Sequence, residues 1–184
     1  MSMSLHGPSW ELARKWSDKL VETGTYLGGG VYGALLARFE QIHTIEISRE
    51  LSEEARRNMG VVFGRVHYYV GDSAVLLPQI LTAIREKCSI LLDAHLVADD
   101  SRSKEASREC PLKKELESLA TAYRNDHLIM VDDIDLCGGP EMADLTLPQV
   151  TSILLKINSA YTFRILDGVR PKMLLVALPP GFAG

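Results

Sequence analysis

Two acid-bearing patterns carry the chemistry of this chain. The first is Val21-Glu22-Thr23-Gly24-Thr25-Tyr26-Leu27-Gly28-Gly29-Gly30, an apolar run ending in a glycine-rich turn, followed by a stretch of helical spacing. Glycines there permit a tight turn and close approach of a ligand to bare backbone. The helix N-terminus beyond them offers free N–H groups and partial positive charge, which favour a carboxylate or phosphate. The spacing is not G-x-G-x-x-G: Thr25, Tyr26 and Leu27 separate Gly24 from Gly28, and their side chains narrow the room a pyrophosphate would need. Glu22, two residues before Gly24, suits an amino group or sulfonium better than a pyrophosphate. A plainer reading is a turn that only closes a strand–helix–strand unit.

Further along, Glu46 lies at the end of the run Ile42–Ile47, and Gly71-Asp72-Ser73 follows Val66–Val70 and opens a helix. An acid in the first place can accept both hydroxyls of a ribose, each charge-assisted bond contributing about 1.5–3 kcal/mol; it can equally be an exposed strand-end glutamate. Asp72 or Ser73 can cap the following helix, and Asp72 can also accept from an exocyclic adenine amine.

The second pattern is Asp93 after Ser89-Ile-Leu-Leu92, with Asp132 and Asp133 after His127-Leu-Ile-Met-Val131. Neighbouring parallel strands lie about 4.8 Å apart, so these acids would converge at one edge of the sheet if the fourth and fifth strands are neighbours. Bare like charges repel and raise one another's pKa; a hard divalent cation such as magnesium, manganese or calcium would relieve that. An acid pair in a loop is, on the other hand, usually solvated. His95 could serve as a general base or a further ligand. His43, His67 and His127 read as packed side chains, and Glu115, among Lys113, Lys114 and Glu117, as part of a solvated charged face.

The elements that must position these residues alternate. Strand-like runs at Lys19–Glu22, Ile42–Ile47, Val66–Val70, Ser89–Asp93, His127–Val131, Tyr161–Leu166 and Lys172–Leu178 are separated by helical spacing at Val31–Phe39, Glu50–Met59, Ser73–Glu86, Pro111–Tyr123 and Leu147–Asn158. This predicts a mostly parallel sheet with helices on both faces. Only Asp167–Pro171 joins the last two runs, too short for a parallel crossover, so they form an antiparallel hairpin over an Asp-Gly turn. An N-terminal helix is expected from Ser9, as its cap, to about Lys19, with Trp10, Ala13 and Trp16 on one face. The charged segment Leu96–Glu109 is long enough to act as a lid, and Cys137–Thr146 is irregular.

At 184 residues, 46% hydrophobic and 24% charged, the chain suits one soluble domain, 1–184. Net charge −4 and pI about 5.7 argue against a general nucleic-acid binder. No run is long enough to span a membrane, there is no secretory signal pattern, and three cysteines without a C-x-x-C pair point to the cytoplasm and to neither a disulfide framework nor a zinc site. The exposed face of the last hairpin could pair two copies as a homodimer.

Taken together, Glu22-x-Gly24, Glu46, Gly71-Asp72-Ser73 and Leu92-Asp93 resemble the successive cofactor motifs of class I S-adenosylmethionine-dependent methyltransferases, over roughly Leu20 to Leu178. Val21–Gly28, Leu92-Asp-Ala-His95, Cys110–Leu116 and Val131-Asp-Asp133 are similar to a bacterial methyltransferase-like group. The resemblance implies a Rossmann-like α/β fold, a seven-stranded mostly parallel sheet of order 3-2-1-4-5-7-6 with a C-terminal antiparallel hairpin. It also implies that Glu22, Gly24 and Gly28 surround the methionine portion of S-adenosylmethionine, Glu46 holds the ribose, and Asp72 and Ser73 lie near adenine. Thr25, Tyr26, Ile47 and Asp93 complete the cofactor set. The acid layout resembles metal-dependent O-methyltransferases, with Asp93, Asp132 and Asp133 holding Mg2+ or another divalent cation and Asp93 and His95 as catalytic residues. The expected activity is O-methylation of a small-molecule hydroxyl on a sugar, phenol or natural product. The alternatives are a non-methylating, hydroxylase-like relative and a non-catalytic cofactor-binding or assembly protein.

Overall fold

A computed structural model of the chain describes residues 7–60, 64–94 and 110–183. Seven strands form one sheet: β1 (Lys19–Thr23), β2 (Gln41–Glu46), β3 (Val66–Val70), β4 (Ser89–Leu92), β5 (Leu128–Val131), β6 (Thr162–Leu166) and β7 (Leu174–Leu178). Their order is β3-β2-β1-β4-β5-β7-β6, the order that the resemblance implies. The pairs among β1 to β5 are parallel; β7 runs antiparallel to both β5 and β6.

The apolar runs form central strands because both of their faces are covered. In β4, Ile90 and Leu92 face one core and Leu91 the other; in β5, Ile129 and Val131 oppose Leu128 and Met130. One core packs under α4 (Ser73–Ile84), α5 (Leu112–Leu119) and α6 (Leu147–Ile157), the other under α1 (Gly7–Trp16) and α2 (Gly29–Leu36), with Met59 of α3 (Arg49–Met59) against it. The edge strands β3 and β6 alternate with solvent instead.

The N-terminal helix differs from expectation. It begins at Gly7, so Ser9 is a buried helical residue and not the cap; Pro8 supplies a fixed φ suited to a first turn. The helix ends at Trp16, ahead of Lys19, because Ser17 turns away to donate to the Lys87 carbonyl at 2.8 Å. The hairpin connection is also longer than Asp-Gly. β7 starts at Leu174, since Lys172 takes a left-handed φ of 55° and donates its N–H to Asp167 Oδ1. Two 3₁₀ turns, Ile134–Leu136 and Pro140–Met142, fill the irregular segment after β5. Among the described residues no helix is long and apolar enough to cross a membrane.

Candidate functional site

The carboxyl ends of β1, β2, β4 and β5 bring the sequence-marked acids to one end of the sheet, where open α/β sheets hold ligands. At β1 the turn is governed by Gly24. Its φ is +80°, and a Cβ there would lie 2.4 Å from the Asp93 carbonyl oxygen, so only glycine lets the ends of β1 and β4 meet. The Gly24 and Thr25 N–H groups donate to the Ile45 carbonyl, at 2.9 and 3.3 Å, fastening the turn to β2. The helix α2 that follows has no side-chain cap, leaving its first N–H groups for water or a ligand.

Glu22 faces inward. It is 1% exposed, it accepts from Thr44 Oγ1 at 2.7 Å, and Thr44 Oγ1 is 2.6 Å from Thr25 Oγ1. With its proton committed to Glu22, Thr44 accepts from Thr25. A Cβ at position 30 would lie 1.6 Å from Glu22 Oε1, so the absent side chain of Gly30 is what makes room for this carboxyl. Burial pushes the Glu22 pKa up to about 8; Thr44 lowers it, while Asp93 and Glu46 add to the rise. Glu22 is thus largely uncharged at neutral pH and braces the turn from behind, whereas its sequence position suggested a charge offered to a ligand.

Glu46 bridges two segments. One oxygen accepts the Tyr26 N–H at 2.8 Å and the other the Ser48 N–H at 3.0 Å; Ser48 in turn caps α3 by accepting from the Leu51 N–H. Glu46 is 7% exposed, and burial raises its pKa against those backbone bonds. Each oxygen keeps lone-pair capacity for a ligand hydroxyl. Beside it Ile47 is 43% exposed, an apolar side chain at the rim. Asp72 caps α4, its Oδ1 accepting from the Ala74 N–H at 2.9 Å, and Ser73 is buried in the first turn.

On the other side of β1, Asp93 donates its N–H toward Thr23. Asp132 is 2% exposed and its Oδ1 accepts the Asp133 N–H at 2.9 Å. Asp133 turns instead to Arg170, at 2.5 Å, and Arg170 also holds Asp135, tying the hairpin connection to the end of β5. So Asp93 and Asp132 share a cleft while Asp133 is neutralised outside it. Among the described residues no three His, Cys, Asp or Glu side chains are grouped to hold a metal ion. His95 and the segment Leu96–Glu109 lie outside the described residues.

The cleft contains a residue that the sequence pattern misassigned. Glu115 is not on a solvated face; it is 0% exposed and lines, with Asp93, Asp132, Cys110, Leu112 and Met142, a small cleft of about 10 Å³ open in part to solvent. Leu112, Glu115, Leu116 and Leu119 are the buried residues of α5. They follow the i, i+3, i+4, i+7 spacing of an inward stripe, the signal that could have found it. Neither Glu115 oxygen has a hydrogen-bond partner. Burial pushes its pKa up to about 7; the hydroxyls of Ser73 and Thr23 facing it offset only part of that, and Asp72 and Asp93 add to it. Of the other described histidines, His43 and His127 are buried as expected, whereas His67 is exposed, on an edge strand, with its ring stacked on His43 at 4.7 Å between centroids; His127 accepts the Cys88 N–H. Burial lowers the pKa of His43 and His127 to about 4.

No family model matches the sequence, and no curated protein is significantly similar to it. Solved structures do share its fold. The O-methyltransferase TomG from Streptomyces achromogenes, involved in tomaymycin synthesis and solved with S-adenosylmethionine, superposes with a TM-score of 0.59 at 17% identity, covering 97% of this chain and 82% of that one. An O-methyltransferase from Bacillus cereus, solved with S-adenosylhomocysteine, gives 0.58 at 16% over 97% and 84%. A spermidine synthase from Thermotoga maritima gives 0.59 at 13%, covering 97% of this chain and 59% of that one.

Proposed function

We propose that this protein, which has the Rossmann-like fold of class I S-adenosylmethionine-dependent methyltransferases, methylates a hydroxyl of a small-molecule acceptor. The observation that carries the reading is the meeting of three features at one end of the sheet: the uncapped N-terminus of α2 behind the glycine turn, Glu46 with lone pairs to spare, and exposed Ile47 beside it. These residues fit the cofactor. The turn backbone from Gly24 to Gly28 and the N–H groups of α2 would hold the methionine end, Glu46 the ribose, and Ile47 and Asp72 the adenine side. When bound, S-adenosylmethionine supplies a methyl group made electrophilic by its sulfonium. The chain's own part is to position the acceptor in line with that methyl and to take up its proton, tasks of alignment and general-base catalysis. O-methyltransferases are among the proteins sharing this fold.

A cation held jointly by Asp93, Asp132 and Asp133 does not fit the residues as arranged, because Arg170 occupies Asp133. No step is assigned to a metal. The rival reading is a relative that transfers something other than methyl, since a spermidine synthase superposes as well as the O-methyltransferases do.

Calorimetric titration with S-adenosylhomocysteine tests the cofactor site. Wild-type protein should bind at micromolar concentration, and Glu46→Ala, checked for folding by its thermal transition, should bind at least about tenfold more weakly, the scale of one lost charge-assisted hydrogen bond. Absence of binding to well-folded wild-type protein sinks the reading. Transfer of a labelled methyl to an acceptor then separates methylation from the rival.

A further inference from the structure

A buried carboxyl group short of donors is costly, and where its surroundings are polar and roomy enough a bound water supplies them. Glu115 is such a group. It is 0% exposed, no hydrogen bond of good geometry reaches either oxygen, and the Ser73 and Thr23 hydroxyls that face it offset its burial only in part. It lines a cleft of about 10 Å³ at the ends of β4 and β5, open in part to solvent, which is room for one water and little else. Glu115 needs a donor there whatever Asp93 and Asp132 on the same walls are bonded to.

The walls dictate how a water sits. Their polar side chains are the Glu115, Asp93 and Asp132 carboxyls and the Cys110 thiol; with the carboxyls ionised, only the thiol can donate, and weakly. The side chains of Leu92, Ala94, Leu112 and Met142 offer no hydrogen bond of ordinary strength. A water there turns its hydrogens to Glu115 and the walls and its lone pairs to the open side, where a hydroxyl can donate to it. The cleft also adjoins the glycine turn. Asp93 and Ala94 line it, and they are the residues against which Gly24 packs, a Cβ there lying 2.4 Å from the Asp93 carbonyl oxygen and 2.9 Å from the Ala94 Cα.

We propose that Glu115 holds a single water in this cleft and, through it, takes up the proton of the acceptor hydroxyl. The proposal rests on the methyltransferase reading, which supplies the methyl group and calls for a base. The acceptor oxygen bonds the methyl carbon as the carbon–sulfur bond breaks, its proton passes to the water, and a proton of the water passes to the Glu115 carboxylate. Glu115 touches the water and not the reacting atoms, so it is a positioning residue that also stores the proton. The groups facing it are Asp72 at the start of α4, Asp93 at the end of β4, the Ser73 and Thr23 hydroxyls, Asp132 across the cleft and Cys110 ahead of its own helix. Burial first, then Asp72 and Asp93, raise its pKa to about 7, so above neutrality it is ionised and can take a proton.

Two measurements test this. Diffraction from wild-type crystals at pH 8, at a resolution that shows ordered water, should find one water inside the cleft within hydrogen-bond distance of a Glu115 oxygen. A cleft without it overturns the proposal, and so does a Glu115 bonded to Ser73 and Thr23 alone. Transfer of labelled methyl from S-adenosylmethionine to phenol and to pentafluorophenol then follows the proton, since phenol must lose one and pentafluorophenol is already ionised. Glu115→Gln keeps the shape but cannot take a proton, and should lower kcat for phenol at least about tenfold more than kcat for pentafluorophenol. In wild-type protein kcat for phenol should rise about tenfold from pH 6 to pH 8, and that for pentafluorophenol should stay level. This profile needs no variant to fold. Equal losses for the two compounds, or a level phenol profile, overturn the relay. Wild-type protein that methylates neither compound is a failure of the methyltransferase reading with phenols, and the diffraction result alone then upholds or overturns the water site.

Discussion

Glu22 and Glu115 are both buried carboxyl groups at the same end of the sheet, both with raised pKa, yet their surroundings differ. Glu22 belongs to a chain of hydroxyls, Thr25 to Thr44 to Glu22, that can reverse direction when the carboxyl is protonated and so satisfies either form. Glu115 has no hydrogen bond of good geometry, although the hydroxyls of Ser73 and Thr23 face it, and it lines a cleft. The contrast teaches that burial and a shifted pKa do not by themselves mark a functional acid. The hydrogen-bond inventory around it separates a satisfied internal brace from a buried acid left short of donors.

The comparison breaks most visibly at Gly24. Gly24→Ala forces a side chain into a left-handed backbone and against the Asp93 carbonyl, so it should cost roughly 3–5 kcal/mol of stability in urea unfolding. A loss under 1 kcal/mol would show that the ends of β1 and β4 are not pressed together.

The next effect has the opposite sign. The folded-state pKa of Glu115, about 7, lies above its ordinary value of 4.5, so the folded protein binds that proton more tightly than the unfolded chain. The contribution of Glu115 to stability therefore declines as pH rises from about 4.5 to about 7 and levels off above, while Glu22, with its pKa at about 8, carries the same slope up to about pH 8 in both proteins. Glu115→Gln cannot titrate. It should match wild type near pH 4 and be more stable by about 3 kcal/mol at pH 8. A difference that does not change with pH would mean that Glu115 is paired in solution. His43 and His127, with pKa lowered to about 4, contribute the reverse slope between about pH 4 and pH 6.5 and are common to both proteins.

The smallest effect sharpens the contrast. Thr44→Val deletes the hydroxyl between Glu22 and Thr25 and should cost about 1–2 kcal/mol in the same unfolding measurement, with no gain at high pH. A neutral or stabilising outcome would place Glu22 in the same class as Glu115.

Much of this was legible in the residues. The strand–helix alternation and the short final connection pointed to the mostly parallel sheet and its antiparallel hairpin, and the resemblance to its order. The glycine turn and the strand-end acids gave the end of the sheet where the site lies. What was not legible depended on tertiary direction. Glu22 could have faced ligand or core, and only Gly30, by leaving room, turns it inward. Asp133 was grouped with Asp132 by adjacency, but its left-handed φ of 56° goes with a side chain directed at Arg170, across the hairpin connection. Glu115 was hidden by its charged neighbours, although its spacing with Leu112, Leu116 and Leu119 placed it on the inward stripe. The start of α1 was misplaced because Ser9 is a good cap in isolation while Pro8 admits an earlier turn.

The central position of β1 has a consequence for how the chain acquires this structure. β1 pairs with β2, next in sequence, and with β4, where Thr23 and Asp93 are 70 positions apart. Closing so long a loop is slow relative to local pairing. The segment through β3 can therefore assemble early, and the β6–β7 hairpin can form by itself. The crevice between β1 and β4 exists only once that long loop closes, so the candidate site would mature after the local pairing of β1, β2 and β3.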